Sequence, residues 1–214
     1  MFRQTDSLAR CTNVTTIDCG WLTLARRLES PNCDERPAAE ISLLVLHGIS
    51  LPPRQYGGPY IADLFCNRLD PCAHPYFADI AALRVSAHVL IRRDGEVIQF
   101  VPFHKRAWHA GASCFDGREC CNDFSIGIEL EGSDEEPYQG AQYARLVELA
   151  GALMAAYPDI TPARIVGHCD IAPGRKTDPG PAFDWGRFRQ LLARVSPRMA
   201  GAVGGGERNR GDQS

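Results

Sequence analysis

The 214 residues, 44% of them hydrophobic, are enough to bury one substantial core, and the length fits a single domain over 1–196 better than two. The 23 basic and 26 acidic residues lie scattered and leave a formal charge of −3, which excludes the basic stripe of a nucleic-acid or anionic-membrane binder. No apolar run is long enough to cross a bilayer and MFRQTDSLAR lacks the apolar segment of a secretory signal, so a cytoplasmic location without a membrane partner is expected.

In chain order, ISLLVLHG is a continuous apolar run that predicts a buried strand over 41–47 with His47 at its C-terminal end. ISLPPRQYGGPY is dense in Pro and Gly and reads as a loop, and YIADLFCNRL as a short helix. VSAHVLIRRDGEVIQFVP predicts antiparallel strands near 85–92 and 96–101, joined at Asp94-Gly95 by a tight primed turn. FSIGIELEG alternates, with Phe124, Ile126, Ile128 and Leu130 on a packed face and Ser125, Gly127, Glu129 and Glu131 on a polar one. Helical spacing of Tyr143, Leu146, Val147, Ala150, Leu153 and Met154 predicts a helix from about 139 to 157. RIVGH reads as another strand ending in a histidine, and DWGRFRQLLARV as a last helix capped by Asp184. Residues 197–214 combine glycine with charge and read as a disordered tail. Strands and helices interleaved around one hairpin predict an α/β (α+β) fold, a mixed central β-sheet flanked by helices.

The nine cysteines follow no regular CxxC spacing and read as reduced thiols, which leaves a cysteine metal site without its usual pairs. His47 and His168 instead stand where apolar strands give way to loops, and GHCDIAPGRKTDPG adds Asp178 on a proline-stiffened loop. Two histidines and one carboxylate are an established ligand set for catalytic zinc, which keeps its fourth position open. Spacing alone does not single these out, because His74, His88, His104 and His109 are also available. Chemistry at such a centre needs a base to take a proton from water and a cation to steady an oxyanion. Glu129 on its polar strand face fits the first role, with Glu131 as a rival and Gly127 leaving room for substrate; Lys176, two residues from Asp178, fits the second unless it is an ordinary surface lysine. In RAWHAGAS, Trp108 and His109 are candidate walls against substrate, although Trp108 could equally fill the core. Arg84 is a candidate grip for a substrate carboxylate. A thiol hydrolase built on Cys169 beside His168 is disfavoured, since neighbours along a strand face opposite ways.

The segments HGISLPPRQYGGPY, HPYFADIAALRVSAHVLIRRDGEVIQFVPFHKRAWHAGAS, CNDFSIGIELEG and GHCDIAPGRKTDPGPAFDW resemble the zinc-dependent N-acetylmuramoyl-L-alanine amidases. Within them the likeness is to the cytoplasmic AmpD branch acting on 1,6-anhydro-muropeptides, and it runs from about Gly20 to Phe188. The resemblance implies a peptidoglycan-recognition/amidase-like sheet, one zinc ion, and hydrolysis of the amide joining the lactyl group of anhydro-N-acetylmuramic acid to L-alanine. It further implies His47, His168 and Asp178 as zinc ligands, Glu129 as general base and Lys176 as stabiliser of the tetrahedral intermediate, with His88 and His109 as neighbours. A small muropeptide substrate, a monomer, a place in wall recycling and an influence on β-lactamase induction complete the expectation. Gly48 stands where the branch has asparagine, and Gly174 where it often has an acidic residue. A muropeptide-binding module without catalysis, which would lack a full ligand set, and a lysin-type amidase acting on polymeric wall are the competing readings.

Overall fold

Six strands form the central sheet of the computed structural model, which describes residues 15–200: β1 (Arg26–Arg27), β2 (Leu43–Ile49), β3 (Val89–Ile91), β4 (Val97–Gln99), β5 (Ser125–Glu131) and β6 (Ile165–Gly167). Their order is β6-β2-β5-β3-β4-β1. Strands β6, β2, β5 and β3 are parallel, β4 runs antiparallel to β3, and β1 is parallel to β4. The sheet is therefore mixed, as the alternation of elements predicts. Helices α1 (Tyr60–Phe65), α2 (Gly140–Ala156), α3 (His168–Ile171) and α4 (Trp185–Ala200) accompany it.

Both faces of the sheet are covered. On one, Leu44, Leu46, Ile126, Ile128 and Leu130 pack against Tyr143, Leu146, Ala150 and Leu153 of α2 and Phe188 and Leu192 of α4. Each such aliphatic side chain contributes roughly 1.5–3 kcal/mol when fully buried. The other face carries two smaller clusters. Leu90 and Ile98 pack with Ile61, Leu64, Phe65 and Phe77, while Leu43 and Val45 pack with Cys121, Phe124 and Ile171. The polar residues of this second face, His47 and Glu129, stand near the C-terminal ends of β2 and β5, where parallel sheets place their ligands.

Several boundaries differ from the sequence expectation. Strand β2 spans 43–49 rather than 41–47, so His47 lies within it. All seven residues of β5 are buried, the polar face included. A central strand in a covered sheet has two interior sides, and its alternation separates their chemistry instead of separating core from water. The hairpin strands are shorter than expected, and their turn is not a primed one. Gly95 N donates to Arg92 O at 2.9 Å, Arg92 N donates to Glu96 O at 2.9 Å, and within the turn Gly95, at φ +90°, has a positive φ while Asp94 does not. This is the three-residue loop with a glycine bulge.

The histidine expected at the end of β6 opens α3 instead. Asp184 caps α4 as expected, its Oδ1 accepting from Arg187 N at 2.8 Å. That helix continues to Ala200, so 197–200 are helical where a tail is predicted; the rest of the tail, the N-terminal stretch and Cys11 lie outside the described residues. The eight described cysteines are free thiols. No helix among the described residues is long and apolar enough to cross a membrane.

Candidate metal centre

Parallel pairing of β5 with β2 sets Glu129 in register with His47, so the two side chains share a face. β6 pairs along the other edge of β2, with Gly167 opposite Leu46, and the immediate turn into α3 delivers His168 beside His47. Asp178 arrives on the following loop, which is tied down where its carbonyl accepts from Cys169 N at 2.9 Å. The Nδ1 atoms of His47 and His168 are 3.0 Å apart, and Asp178 Oδ2 is 3.2 and 3.1 Å from them. Among the described residues, this is the group of His, Cys, Asp and Glu whose ligand atoms converge. A tetrahedral zinc with ligand bonds of about 2.0–2.1 Å has its ligand atoms about 3.3 Å apart, so the triangle fits such an ion.

The outer nitrogens of both rings are occupied. His168 Nε2 faces the carbonyl of Ala110 at 3.1 Å, an acceptor only, so Nε2 is the donor and Nδ1 is the nitrogen turned inward. His47 Nε2 lies 2.9 Å from His109 Nδ1, and His109 Nε2 lies 3.2 Å from Ser125 Oγ. Donation from His47 to His109 and from His109 to Ser125 satisfies both bonds and leaves His47 Nδ1 bare. Burial pushes the His47 imidazole toward its neutral form, and Asp178 only partly opposes this. Two nitrogen lone pairs and a carboxylate thus meet at one point, which is the environment a divalent cation takes.

Glu129 is the fourth polar group here, and it is buried. Its Oε2 is sealed from water and has no partner, and burial, helped by the charge of Asp178, pushes its carboxyl well above the usual range while Lys176 opposes the shift. Glu131 is not its equal. Its Oε1 accepts from Gly57 N and Arg92 Nη1 at 2.7 and 3.3 Å and its Oε2 from Arg93 N at 3.3 Å, a structural tie. Gly127 does not make room for substrate, as the sequence suggests, but for His109, because a Cβ there would stand 2.5 Å from Cγ of that ring. Asn122 Oδ1 accepts from His109 N and Ala110 N at 3.1 and 2.8 Å and so fixes the loop that carries the ring.

His47, His168, Asp178 and Glu129 line a groove of about 530 Å³. Lys176 is exposed at its rim, and Leu51, Tyr76, Ile80, Leu83 and Trp108 form an apolar wall. Trp108 is half-buried and held by Nε1 donation to Asp34 Oδ1 at 3.2 Å, so it is a wall residue and not a core plug. His109 also borders the groove, but both ring nitrogens are engaged with His47 and Ser125. Arg84 is exposed, with its guanidinium on the carbonyls of Ala82 and Leu83, and does not line the groove. Cys169 does not line it either, and burial pushes its thiol up, the wrong direction for a nucleophile. His88 is structural: it accepts from Gly127 N at Nδ1, 3.0 Å away, and its Nε2 faces Lys105 O at 3.1 Å. Ser125, Asn122 and Tyr138 carry no signal in the sequence that ties them to the site, since their partners lie 12 to 41 residues away. A larger cavity of about 610 Å³, between Tyr56, Arg92, Arg93 and Glu96, holds none of the converging groups.

Residues 37–181 match the N-acetylmuramoyl-L-alanine amidase family. The chain is 62% identical over 179 residues to the 1,6-anhydro-N-acetylmuramyl-L-alanine amidase AmpD of Escherichia coli (strain K12), covering 83% of this chain and 97% of that one. A crystal structure of an AmpD selenomethionine derivative superposes with a TM-score of 0.80 at 62% identity, over 82% of this chain and 98% of that chain. The N-acetylmuramyl-L-alanine amidase AmiD from E. coli, in complex with the substrate anhydro-N-acetylmuramic acid-L-Ala-D-γ-Glu-L-Lys, superposes with a TM-score of 0.53 at 30% identity, over 83% of this chain and 65% of that chain. With matches of this length and identity, the chain belongs to the N-acetylmuramoyl-L-alanine amidases, in their AmpD branch.

Proposed function

We propose that this chain is a zinc-dependent enzyme that hydrolyses the amide between the lactyl group of 1,6-anhydro-N-acetylmuramic acid and L-alanine in small muropeptides. In this reading it acts as a monomer in cytoplasmic recycling of wall fragments. The observation that carries the proposal is the convergence of His47, His168 and Asp178 ligand atoms within 4.8 Å of one another, beside the unpartnered buried oxygen of Glu129. Support for the substrate comes from the activity named for the AmpD relatives and from the anhydromuropeptide bound to AmiD.

His47, His168 and Asp178 would hold the ion. When bound, zinc supplies Lewis acidity, which makes water more acidic and polarises a carbonyl. Glu129 takes the proton from the attacking water, and its raised proton affinity suits a base that works near neutral pH. The same carboxyl then returns that proton to the alanine nitrogen as the amide bond breaks. Lys176, at the groove rim, offsets the negative charge that develops on the lactyl oxygen. His109 holds His47 in one tautomer and one orientation, the usual duty of the group behind a ligating imidazole. Trp108, Leu83 and Ile80 offer an apolar surface to the sugar ring.

The test pairs metal analysis of the purified protein with cleavage of an anhydromuramyl peptide, with and without chelator. We expect close to one zinc per chain, release of a peptide with a free L-alanine terminus, loss of turnover on chelation and recovery with zinc. Zinc-loaded protein that leaves the soluble substrate intact would defeat the proposal, and faster cleavage of intact sacculi would redirect it to polymeric wall.

A further inference from the structure

Two glycines beside the site are not explained by their backbone. Gly48 lies in β2 and Gly132 follows β5, its N–H donating to Ile49 O at 2.9 Å, and neither has a positive φ. In this structure the space where their side chains would stand is filled by Tyr138. A Cβ on Gly48 would stand 2.3 Å from the Tyr138 hydroxyl oxygen, and one on Gly132 2.4 Å from Cε1 of the same ring. The ring is 4% exposed and meets Phe183 edge-on at 5.6 Å. Its hydroxyl donates to Pro179 O at 2.9 Å.

We infer that Tyr138 is a positioning residue for the metal centre, laid across the ends of β2 and β5 through space left by Gly48 and Gly132 so that its hydroxyl holds Pro179 and thereby Asp178. The inference rests on the metal reading above. The loop bearing Asp178 has two adjacent carbonyl anchors: that of Asp178 takes Cys169 N, and that of Pro179 takes the Tyr138 hydroxyl. The first is a backbone bond that most sequences would preserve. The second depends on one side chain. Burial, together with the negative charges of Glu129, Asp134 and Asp178, pushes the phenol's ionisation far up, so it remains a donor at any working pH. Asp134 reinforces the clamp, its carbonyl accepting from Ala182 N at 3.1 Å. A plain core aromatic would need the ring but not the hydroxyl.

The geometry supplies its own control. Apart from the hydroxyl, the nearest atoms to a Cβ on Gly48 are Pro179 Cα at 3.4 Å and Pro179 O at 3.6 Å, which are ordinary contacts. Gly48→Ala should therefore be harmful with tyrosine at 138 and almost harmless with phenylalanine there. The experiment measures zinc affinity by chelator competition, and the melting temperature of the metal-free form, for wild type, Tyr138→Phe, Gly48→Ala and the double variant. We expect Tyr138→Phe to weaken zinc binding roughly tenfold, about what one good hydrogen bond is worth. Gly48→Ala should weaken it at least as much, and the double variant should fall within about twofold of Tyr138→Phe. If Gly48→Ala alone does not fold, recovery of folding in the double variant reports the same contact. Zinc affinity unchanged by Tyr138→Phe, or a Gly48→Ala effect equal in both backgrounds, overturns the inference and leaves the metal reading intact. A wild type that binds no zinc overturns both.

Discussion

A carboxyl oxygen sealed from water with no partner raises the free energy of the fold, and Glu129 Oε2 is such an atom. Because burial and Asp178 raise its folded proton affinity above the unfolded value of about 4.3, its contribution to stability worsens as pH rises from about 4.3 through the raised folded value. Glu129→Gln removes that titration while keeping the shape. Metal-free Glu129→Gln should therefore melt above wild type at pH 8, by about 2–4 °C for each kcal/mol relieved, and the gap should shrink toward pH 4. The same variant should lose about 10²- to 10⁴-fold in turnover while retaining zinc, which separates the loss of a base from the loss of a ligand. A wild-type melting temperature at pH 8 for Glu129→Gln would show that the carboxyl is not strained. His109 is the second case at this scale. With its Nδ1 behind His47 Nε2, His109→Ala should weaken zinc binding about 10- to 100-fold, read by chelator competition. Unaltered affinity would mean that His47 is held by packing alone.

Elements with a long period are the ones the sequence makes legible. α2 and α4 carry repeating apolar positions over several turns, and both form within a residue of their expected starts. Asp184 can be read as a cap because the capping bond is local, to Arg187 N three residues on. Asp184→Ala should cost about 1 kcal/mol and lower the melting temperature by about 2–4 °C, with full zinc content; a change under half a degree would show that solvent replaces the cap. The two-residue strand Arg26–Arg27 and the pair Cys33–Glu35 with Lys105–Ala107 are illegible for the opposite reason. They exist only through partners about 70 residues away, and nothing in so few residues sets a period. The site divides along the same line. His47 and His168 stand out because apolar strands run into them, but choosing them over His88 and His109 takes the family resemblance, since His88 is buried as they are and His109 is half-buried beside them at the same sheet. Gly127 and Arg84 mislead because a residue's type says nothing of which neighbour fills its space: His109 fills the first, and the second turns to its own carbonyls.

At the scale of the molecule, one face of the sheet carries the helical core and the other seals neutral imidazoles beside the ligand triangle. This arrangement should make the metal-free protein sensitive to acid. Burial lowers the proton affinity of His47, His88 and His109 in the fold, whereas in the unfolded chain they protonate near 6.5. Their contribution is therefore complete above about pH 6.5 and is lost as pH falls below it toward their depressed folded values. Each can contribute a slope of up to about 1.4 kcal/mol per pH unit in that window, so the three together approach about 4 kcal/mol per unit. Glu129 acts in the opposite sense between its raised value and about 4.3, where the fold holds a proton that the unfolded chain does not, and it offsets about one histidine's share. Urea unfolding in the presence of chelator at pH 8, 6.5, 5.5 and 5 should show a plateau followed by a steep fall. In Glu129→Gln, with the opposing group gone, the fall should be steeper still. Equal stability at pH 8 and pH 5 would mean that these rings are solvated or already charged in the fold. A limb no steeper in Glu129→Gln would mean that its carboxyl does not titrate against them, and the raised proton affinity assigned to the base would fail with it.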